Sequence, residues 1–220
     1  MKQTGLCLLC LLLVIATDAR NRKVKMITSK GSIVVKLSNK TPLHRNNFVK
    51  LVKQGYYNGI LFHRVIKEFM IQAGDDSTKQ SVPGKRYGSG GLNNKIPAEF
   101  DSSLFHKRGV LAAARDNNPE KASSGSHFYI VQGKKFTDST LNEVEMKRMS
   151  GRKIPEHYRK VYKTVGGAPH LDQNYTVFGE VVKGMSVVDT IAQMERDQYD
   201  RPKEDVRILR MKLKKKFLFF

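Results

Sequence analysis

Residues 62–75 read Phe-His-Arg-Val-Ile-Lys-Glu-Phe-Met-Ile-Gln-Ala-Gly-Asp. β-Branched and aromatic residues over 61–73 run into the turn residues Gly74, Asp75 and Asp76, which predicts a strand followed by a turn. Alternate side chains of a regular strand share a face, so the even positions counted from Phe62 put Arg64 and Gln72 on one side. Phe69 breaks that parity, and a bulge or bend near Lys67 and Glu68 accounts for the break. The stretch therefore offers a cation and an amide on one face, with the apolar pair Phe69 and Met70 close by.

Outward from this stretch the chain is rich in strands. Residues 24–28 (Val-Lys-Met-Ile-Thr), a Ser29-Lys30-Gly31 turn and residues 32–37 (Ser-Ile-Val-Val-Lys-Leu) predict a hairpin. Thr41 as N-cap and Pro42 at the first helical position open a helix whose apolar face is Leu43, Phe48, Leu51 and Val52, ending at Gly55. Residues 77–94, rich in Gly, Ser, Asn and Lys, predict a long surface loop. Further strands are expected at 109–114, 127–132, 176–182 and 206–213, and a short helix at 185–194. Residues 134–168 are charged and helix-favouring, which marks a helical insertion. Many strands and two main helices predict a mainly β domain, a closed or nearly closed barrel with helical plugs.

The first residues follow the order of a secretory signal: Lys2, an apolar run over 6–15, then Ala16-Thr17-Asp18-Ala19 before the basic Arg20-Asn21-Arg22-Lys23. The apolar run is about half the roughly 20 residues that a membrane-crossing helix needs. We therefore expect cleavage near Ala19, export to a periplasm or medium, and a single domain over 20–220. Both cysteines, Cys7 and Cys10, lie in this leader, so the exported part has no thiol for a disulfide or a thiolate metal site. The sequons at Asn39 and Asn174 have meaning only in a eukaryotic secretory route.

The chain carries 40 Lys and Arg against 20 Asp and Glu, a net charge of +20, and losing Lys2 and Asp18 together leaves that balance unchanged. Such a field attracts polyanions without selecting among them. No zinc-finger spacing, basic heptad region or aromatic RNA-binding run focuses it on nucleic acid, so contacts with anionic surfaces are expected to be non-specific. The six histidines show no metal-type spacing, and Gly88-Ser89-Gly90-Gly91 lacks the Lys-Ser/Thr of a phosphate loop. Neither metal nor cofactor is expected.

Residues 62–75 strongly resemble the central motif of the cyclophilins. Gly88-Ser89-Gly90-Gly91, Ile96-Pro97-Ala98-Glu99-Phe100, residues 109–115 (Gly-Val-Leu-Ala-Ala-Ala-Arg), residues 124–130 (Ser-Gly-Ser-His-Phe-Tyr-Ile) and residues 170–180 follow in the family's order. The Pro-Ala-Glu-Phe and Tyr-Thr-Val-Phe-Gly runs look more like bacterial members. The resemblance implies a closed eight-stranded antiparallel barrel capped by two helices, with the substrate groove on its outer face. It implies peptidyl-prolyl cis-trans isomerase activity on proline-containing, unfolded or flexible polypeptides, with the chain acting as a monomer that assists folding. Arg64 matches the catalytic arginine and Gln72 the residue supporting it. Phe69, Met70, Tyr129 and Leu171 match the walls of the proline pocket, Ala114 and Arg115 the backbone rail, and Tyr175 the last pocket position. Phe62, His63 and His127 are carried over as further substrate-binding positions.

The chemistry explains these residue types. Rotation about an X-Pro bond meets a barrier of about 18–20 kcal/mol because amide resonance must be broken. In the twisted state the prolyl nitrogen gains a lone pair, and a fixed, hydrogen-bonding cation stabilises that state selectively. Arginine stays charged at any working pH and its planar fork bonds two partners at once. An acceleration of about 10⁵ needs about 7 kcal/mol of differential stabilisation. Taken alone, Arg64 would pass for an ordinary surface ion-pair residue and Phe69 and Met70 for core residues.

Two departures stand out. Many active members have glutamine at His127, and cyclosporin-sensitive members have tryptophan at His170. Histidine changes charge near neutral pH, so pH-dependent activity and weak cyclosporin binding are expected. The 134–168 segment enters between Tyr129 and Leu171 and could lean over the groove. The alternative functions are a weakly catalytic proline-motif binding module or chaperone using the same groove, and a basic adaptor on anionic lipid or envelope polymer.

Overall fold

The computed structural model describes residues 22–214; the expected leader, with its cleavage site, and residues 215–220 lie outside them. The chain forms β1 (Lys23–Thr28), β2 (Gly31–Leu37), α1 (Pro42–Lys53), β3 (Phe62–Ile66), β4 (Met70–Ala73), β5 (Lys95–Ile96), β6 (Val110–Ala113), β7 (Ser123–Ser124) and β8 (Phe128–Val131). There follow α2 (Asp138–Arg148), α3 (Glu156–Thr164), β9 (Val177–Lys183), α4 (Met185–Ala192) and β10 (Ile208–Leu213). Eight strands make one antiparallel sheet in the order β10-β1-β2-β9-β6-β8-β4-β3, and β5 pairs with β7 in a small ribbon.

The sheet curls until its two end strands approach. Closure is made by an isolated bridge between Leu61 and Arg207, with Phe62 N donating to Val206 O and Ile208 N to Ile60 O, rather than by a full ladder. Inside lies the largest apolar cluster. Val24 and Met26 of β1 and Ile33, Val35 and Leu37 of β2 point into it at alternate positions, as the pleat requires. Phe48, Leu51 and Val52 of α1 and Val188, Ile191 and Ala192 of α4 bury their faces in the same cluster. Phe48 packs against Tyr57, Phe128 and Phe178 at centroid distances of 5.2, 5.5 and 5.4 Å.

Helix α1 begins where the sequence predicts, but Thr41 does not cap it: its side chain makes no cap hydrogen bond. The carboxylate of Glu99 takes that place. Leu43 N and His44 N each donate to it at 3.0 Å, and His44 Nδ1 lies 2.7 Å from Oε2. An acid at a helix N-terminus satisfies otherwise orphaned N–H groups and opposes the helix dipole. This gives the Pro-Ala-Glu-Phe run a structural task.

The single strand expected over 61–73 is two. Glu68 adopts φ 63°, Phe69 N donates to Ile66 O at 3.1 Å, and the chain turns back on itself as the β3–β4 hairpin. The predicted bend at Lys67 and Glu68 is thus a complete reversal, and it changes which residues are neighbours.

Residues 134–168 do form two helices. They build a separate small core from Leu141, Met149, Ile154, Tyr158 and Tyr162, with Phe105 packed against it. Buried Glu145 of α2 accepts from Arg159 Nη1 of α3 at 2.7 Å and from Ile154 N at 3.0 Å, so the pair is locked together.

Candidate active site

Because β3 and β4 form a hairpin, Arg64 and Gln72 stand directly opposite each other. The register continues sideways: Gln72 pairs with Tyr129 of β8, Tyr129 with Ala112 of β6, and Ala112 with Val177 of β9. One cross-strand row thus brings Arg64, Gln72 and Tyr129 together on the outer face, while Ile71, Ile130 and Leu111, one position along each strand, face the core. A second apolar cluster lies on that outer face, with Met70, Tyr129, Leu171, Val131 and Val177 buried and Phe69 and Tyr175 half-buried.

A cleft of about 950 Å³ opens above this row. Arg64, Gln72, His63, Phe69, Met70, Ala114, Arg115, Tyr129, Leu171 and Tyr175 all line it. Two expected residues are elsewhere. Phe62 is 1% exposed and points into the core, because it lies two residues before Arg64 across the bulge that shifts the β3–β4 register. His127 is buried beside the glycine loop, its Nε2 2.9 Å from Gly90 O, and does not reach the cleft.

The apolar walls are held from behind. Tyr129 Oη meets His106 Nε2 at 2.9 Å, His106 Nδ1 meets Asp172 Oδ1 at 2.9 Å, and Tyr162 Oη of α3 donates to Asp172 Oδ2 at 2.6 Å. With Nδ1–H donating to the carboxylate, Nε2 accepts from the Tyr129 hydroxyl. The helical pair therefore buttresses the Pro169–Leu171 turn, and none of residues 134–168 lines the cleft, against the expectation that this segment leans over it. On the opposite wall Arg115 stacks over Tyr175 at 4.9 Å and donates from Nε to Asn174 O at 2.8 Å.

The backbone rail is narrower than expected. Ala114 N donates to His127 O at 3.0 Å and Ala114 O accepts from Ser124 N at 2.8 Å, so its peptide groups are spent within the protein. Among the described residues the backbone of Arg115 makes no such bond, which leaves it to receive a ligand.

The cleft extends past Arg64 to Arg86, Tyr87, Gly88, Ser89 and the 198–200 segment. Asp75 shapes that end: its carboxylate accepts from Gly88 N at 2.6 Å and Gly90 N at 3.2 Å, pinning the glycine loop to the end of β4. Gly74 must be glycine there, with φ +121° and Ser126 O only 2.4 Å from where a Cβ would stand.

The sequence matches the family profile described as cyclophilin type peptidyl-prolyl cis-trans isomerase/CLD over residues 23–213. A Staphylococcus saprophyticus protein named for peptidyl-prolyl cis-trans isomerase activity is 34% identical over 195 residues, covering 87% of this chain and 92% of the relative. A Staphylococcus haemolyticus protein of the same name is 37% identical over 187 residues, covering 84% and 88%. This chain belongs to the cyclophilin family. The fold agrees: a solved cyclophilin of Cryptosporidium parvum superposes with TM-score 0.64 at 22% identity, covering 90% of this chain and 99% of the other. The chemistry of the family, cis-trans isomerisation of peptidyl-prolyl bonds, is therefore the activity of this cyclophilin.

Two features of this cyclophilin's site escaped sequence reading. Asp200 Oδ2 lies 3.6 Å from Arg64 Nε, and Asp200 O accepts from Val65 N at 2.7 Å. No bond from Gln72 to the Arg64 guanidinium exists among the described residues, so the expected clamp by Gln72 is replaced here by Asp200. The sequence carries no signal for this, because the segment reaches β3 only when the barrel closes. The second is the histidine environment. Burial, helped by His127, brings His63 down to about 4, and burial, helped by Arg148, brings His170 to about 4; burial also lowers His127. Burial thus favours the neutral ring in all three, which runs against the expectation of a charge change near neutrality.

Proposed function

We propose that this cyclophilin turns X-Pro bonds in exported polypeptides and so assists their folding, with Arg64 as the catalytic cation and the Phe69, Met70, Tyr129, Leu171 and Tyr175 surface as the seat of the prolyl ring. The observation that carries the assignment of residues is the cross-strand row from Arg64 through Gln72 to Tyr129, which sets a charged donor beside an apolar pocket in one cleft. A prolyl ring gains about 1–3 kcal/mol from burial there. Arg64, 41% exposed, can then reach a substrate backbone without first being unearthed. The Cryptosporidium cyclophilin, solved also in the presence of the dipeptide Ala-Pro with TM-score 0.63, supports proline-containing peptides as the substrate class. The signal-like order of the first residues supports export, and the separate small core of α2 and α3 supports reading 134–168 as an insertion that braces the pocket.

The test is the slow cis-to-trans phase of a short X-Pro peptide, followed with the chain beginning at Arg20 and with Arg64→Ala. Wild type should accelerate it strongly, and the variant should lose about 10²- to 10³-fold in kcat/KM, the usual size for removing one transition-state donor. Equal rates from the two folded proteins would remove Arg64 from the mechanism. His170 leaves no indole at the pocket rim, so cyclosporin should bind weakly; titration calorimetry giving tight binding would contradict that.

A further inference from the structure

We propose that the outward face of β10, β1, β2 and β9 docks on a bilayer rich in anionic headgroups. Registers place Lys212, Lys25, Val34 and Lys183 in one cross-strand row, with Lys25 between β10 and β2. The neighbouring rows set Lys23 against Lys36 and Ile27 against Arg210. Among the described residues none of Lys23, Lys25, Lys36, Lys183, Arg210 and Lys212 forms an ion pair, whereas Lys30, Lys95, Lys147 and Lys163 elsewhere on the surface each have an acidic partner. The one acidic side chain in these four strands, Glu180, is held by Lys107 at 3.3 Å.

Directly opposed like charges, such as Lys25 with Lys212 and Lys23 with Lys36, work against strand pairing. An anionic surface laid across the face offsets that repulsion, since clustered lysines and arginines gain from a negatively charged leaflet. The face also has apolar relief suited to lipid: Leu209 and Val182, at the register shifts of β10 and β9, are 54% and 45% exposed. Duplex nucleic acid would leave these side chains nothing to bury in. The sequence that follows β10 continues the same composition, Lys214-Lys215-Lys216 and then Phe217-Leu218-Phe219-Phe220. Lys214 N donates to Lys23 O at 2.8 Å, so the last described residue lies at the edge of the basic face. A basic patch plus a short apolar segment supplies the two signals that durable peripheral binding requires. The cleft residues Arg64, Gln72 and Tyr129 stand on β3, β4 and β8, none of which belongs to this face, although β10 adjoins β3 where the sheet closes.

The experiment is sedimentation of the full chain, and of the chain beginning at Arg20, with phosphatidylcholine vesicles and with vesicles one-third phosphatidylglycerol. The anionic vesicles should bind both forms far more tightly, and half-molar salt should release most of the protein. Replacing Lys25→Gln and Lys212→Gln together should weaken anionic binding about thirtyfold, with isomerisation of a short peptide unchanged as proof of folding. Ending the chain after Lys214 should weaken binding again and make the remainder wholly salt-labile. Equal binding to both vesicle types, indifference to the paired lysine change, or preference for duplex DNA over anionic vesicles in competition would each overturn the proposal.

Discussion

Asp200 Oδ2 stands 3.6 Å from Arg64 Nε, and its other oxygen lies 3.3 Å from Arg196 Nε. One carboxylate thus sits between two guanidinium groups at the edge of the cleft, with its residue in the left-handed region at φ 61° and its carbonyl bonded to β3. Partly exposed ion pairs of this kind are worth about 0–1 kcal/mol. Asp200→Asn should therefore lower kcat/KM no more than about fivefold, against the loss of two orders of magnitude or more expected from Arg64→Ala. Steady-state kinetics of the two variants separates a positioning residue from the cation it positions; equal losses would show that Asp200 does more than orient.

The chain Tyr129–His106–Asp172–Tyr162 ties the floor of the prolyl pocket to α3. Tyr162→Phe leaves a buried carboxylate oxygen short of a donor, which costs about 1–3 kcal/mol. Global stability should fall by that amount, and KM for a proline peptide should rise more than kcat falls, because the pocket wall loosens while Arg64 is untouched. A double-mutant cycle with Tyr129→Phe should show coupling, since both hydroxyls belong to one network. Additive effects would mean that the helices only add stability.

Glu99 lies 56 residues from Leu43 and yet caps α1. Glu99→Ala removes the acceptor of two backbone N–H groups and the partner of buried His44, and should destabilise the protein by about 2 kcal/mol, at the upper end for a cap. Thr41→Ala should cost much less, because its hydroxyl makes no cap bond. Urea denaturation of both variants checks the contrast.

His63 is 3% exposed, and neither of its ring nitrogens has a partner among the described residues. Its folded-state value of about 4 lies below the ordinary 6.5, so the unfolded chain binds the proton first. Its contribution to stability is whole above pH 6.5 and is lost as pH falls towards 4, by about 3 kcal/mol in all. His170 adds loss in the same window. His63→Phe should flatten the acid limb of a plot of stability against pH, and an unchanged limb would place the titration elsewhere. Since burial lowers both His127 and His170 from the ordinary histidine value, kcat/KM should be level between pH 7 and 8.

Several things followed from local sequence alone. The alternation of Val24, Met26, Ile33 and Val35 defined a hairpin with one buried face; Pro42 and the apolar spacing after it defined α1; and residues 62–75 held the charged and apolar groups of the cleft. These are short-range properties, set by pleat, helical period and turn chemistry. Residue pairings were another matter. A one-residue slip of register exchanges the two faces of a strand, so only the completed β3–β4 turn at Glu68 decided that Arg64 faces Gln72 and that Phe62 points inward. The same holds for His127, which barrel geometry turned to Gly90 rather than to the cleft. Glu99 on α1, Asp200 beside Arg64 and Tyr162 behind the pocket are partners distant in sequence, and only closure of the sheet, which makes such distant segments adjacent, assigned them.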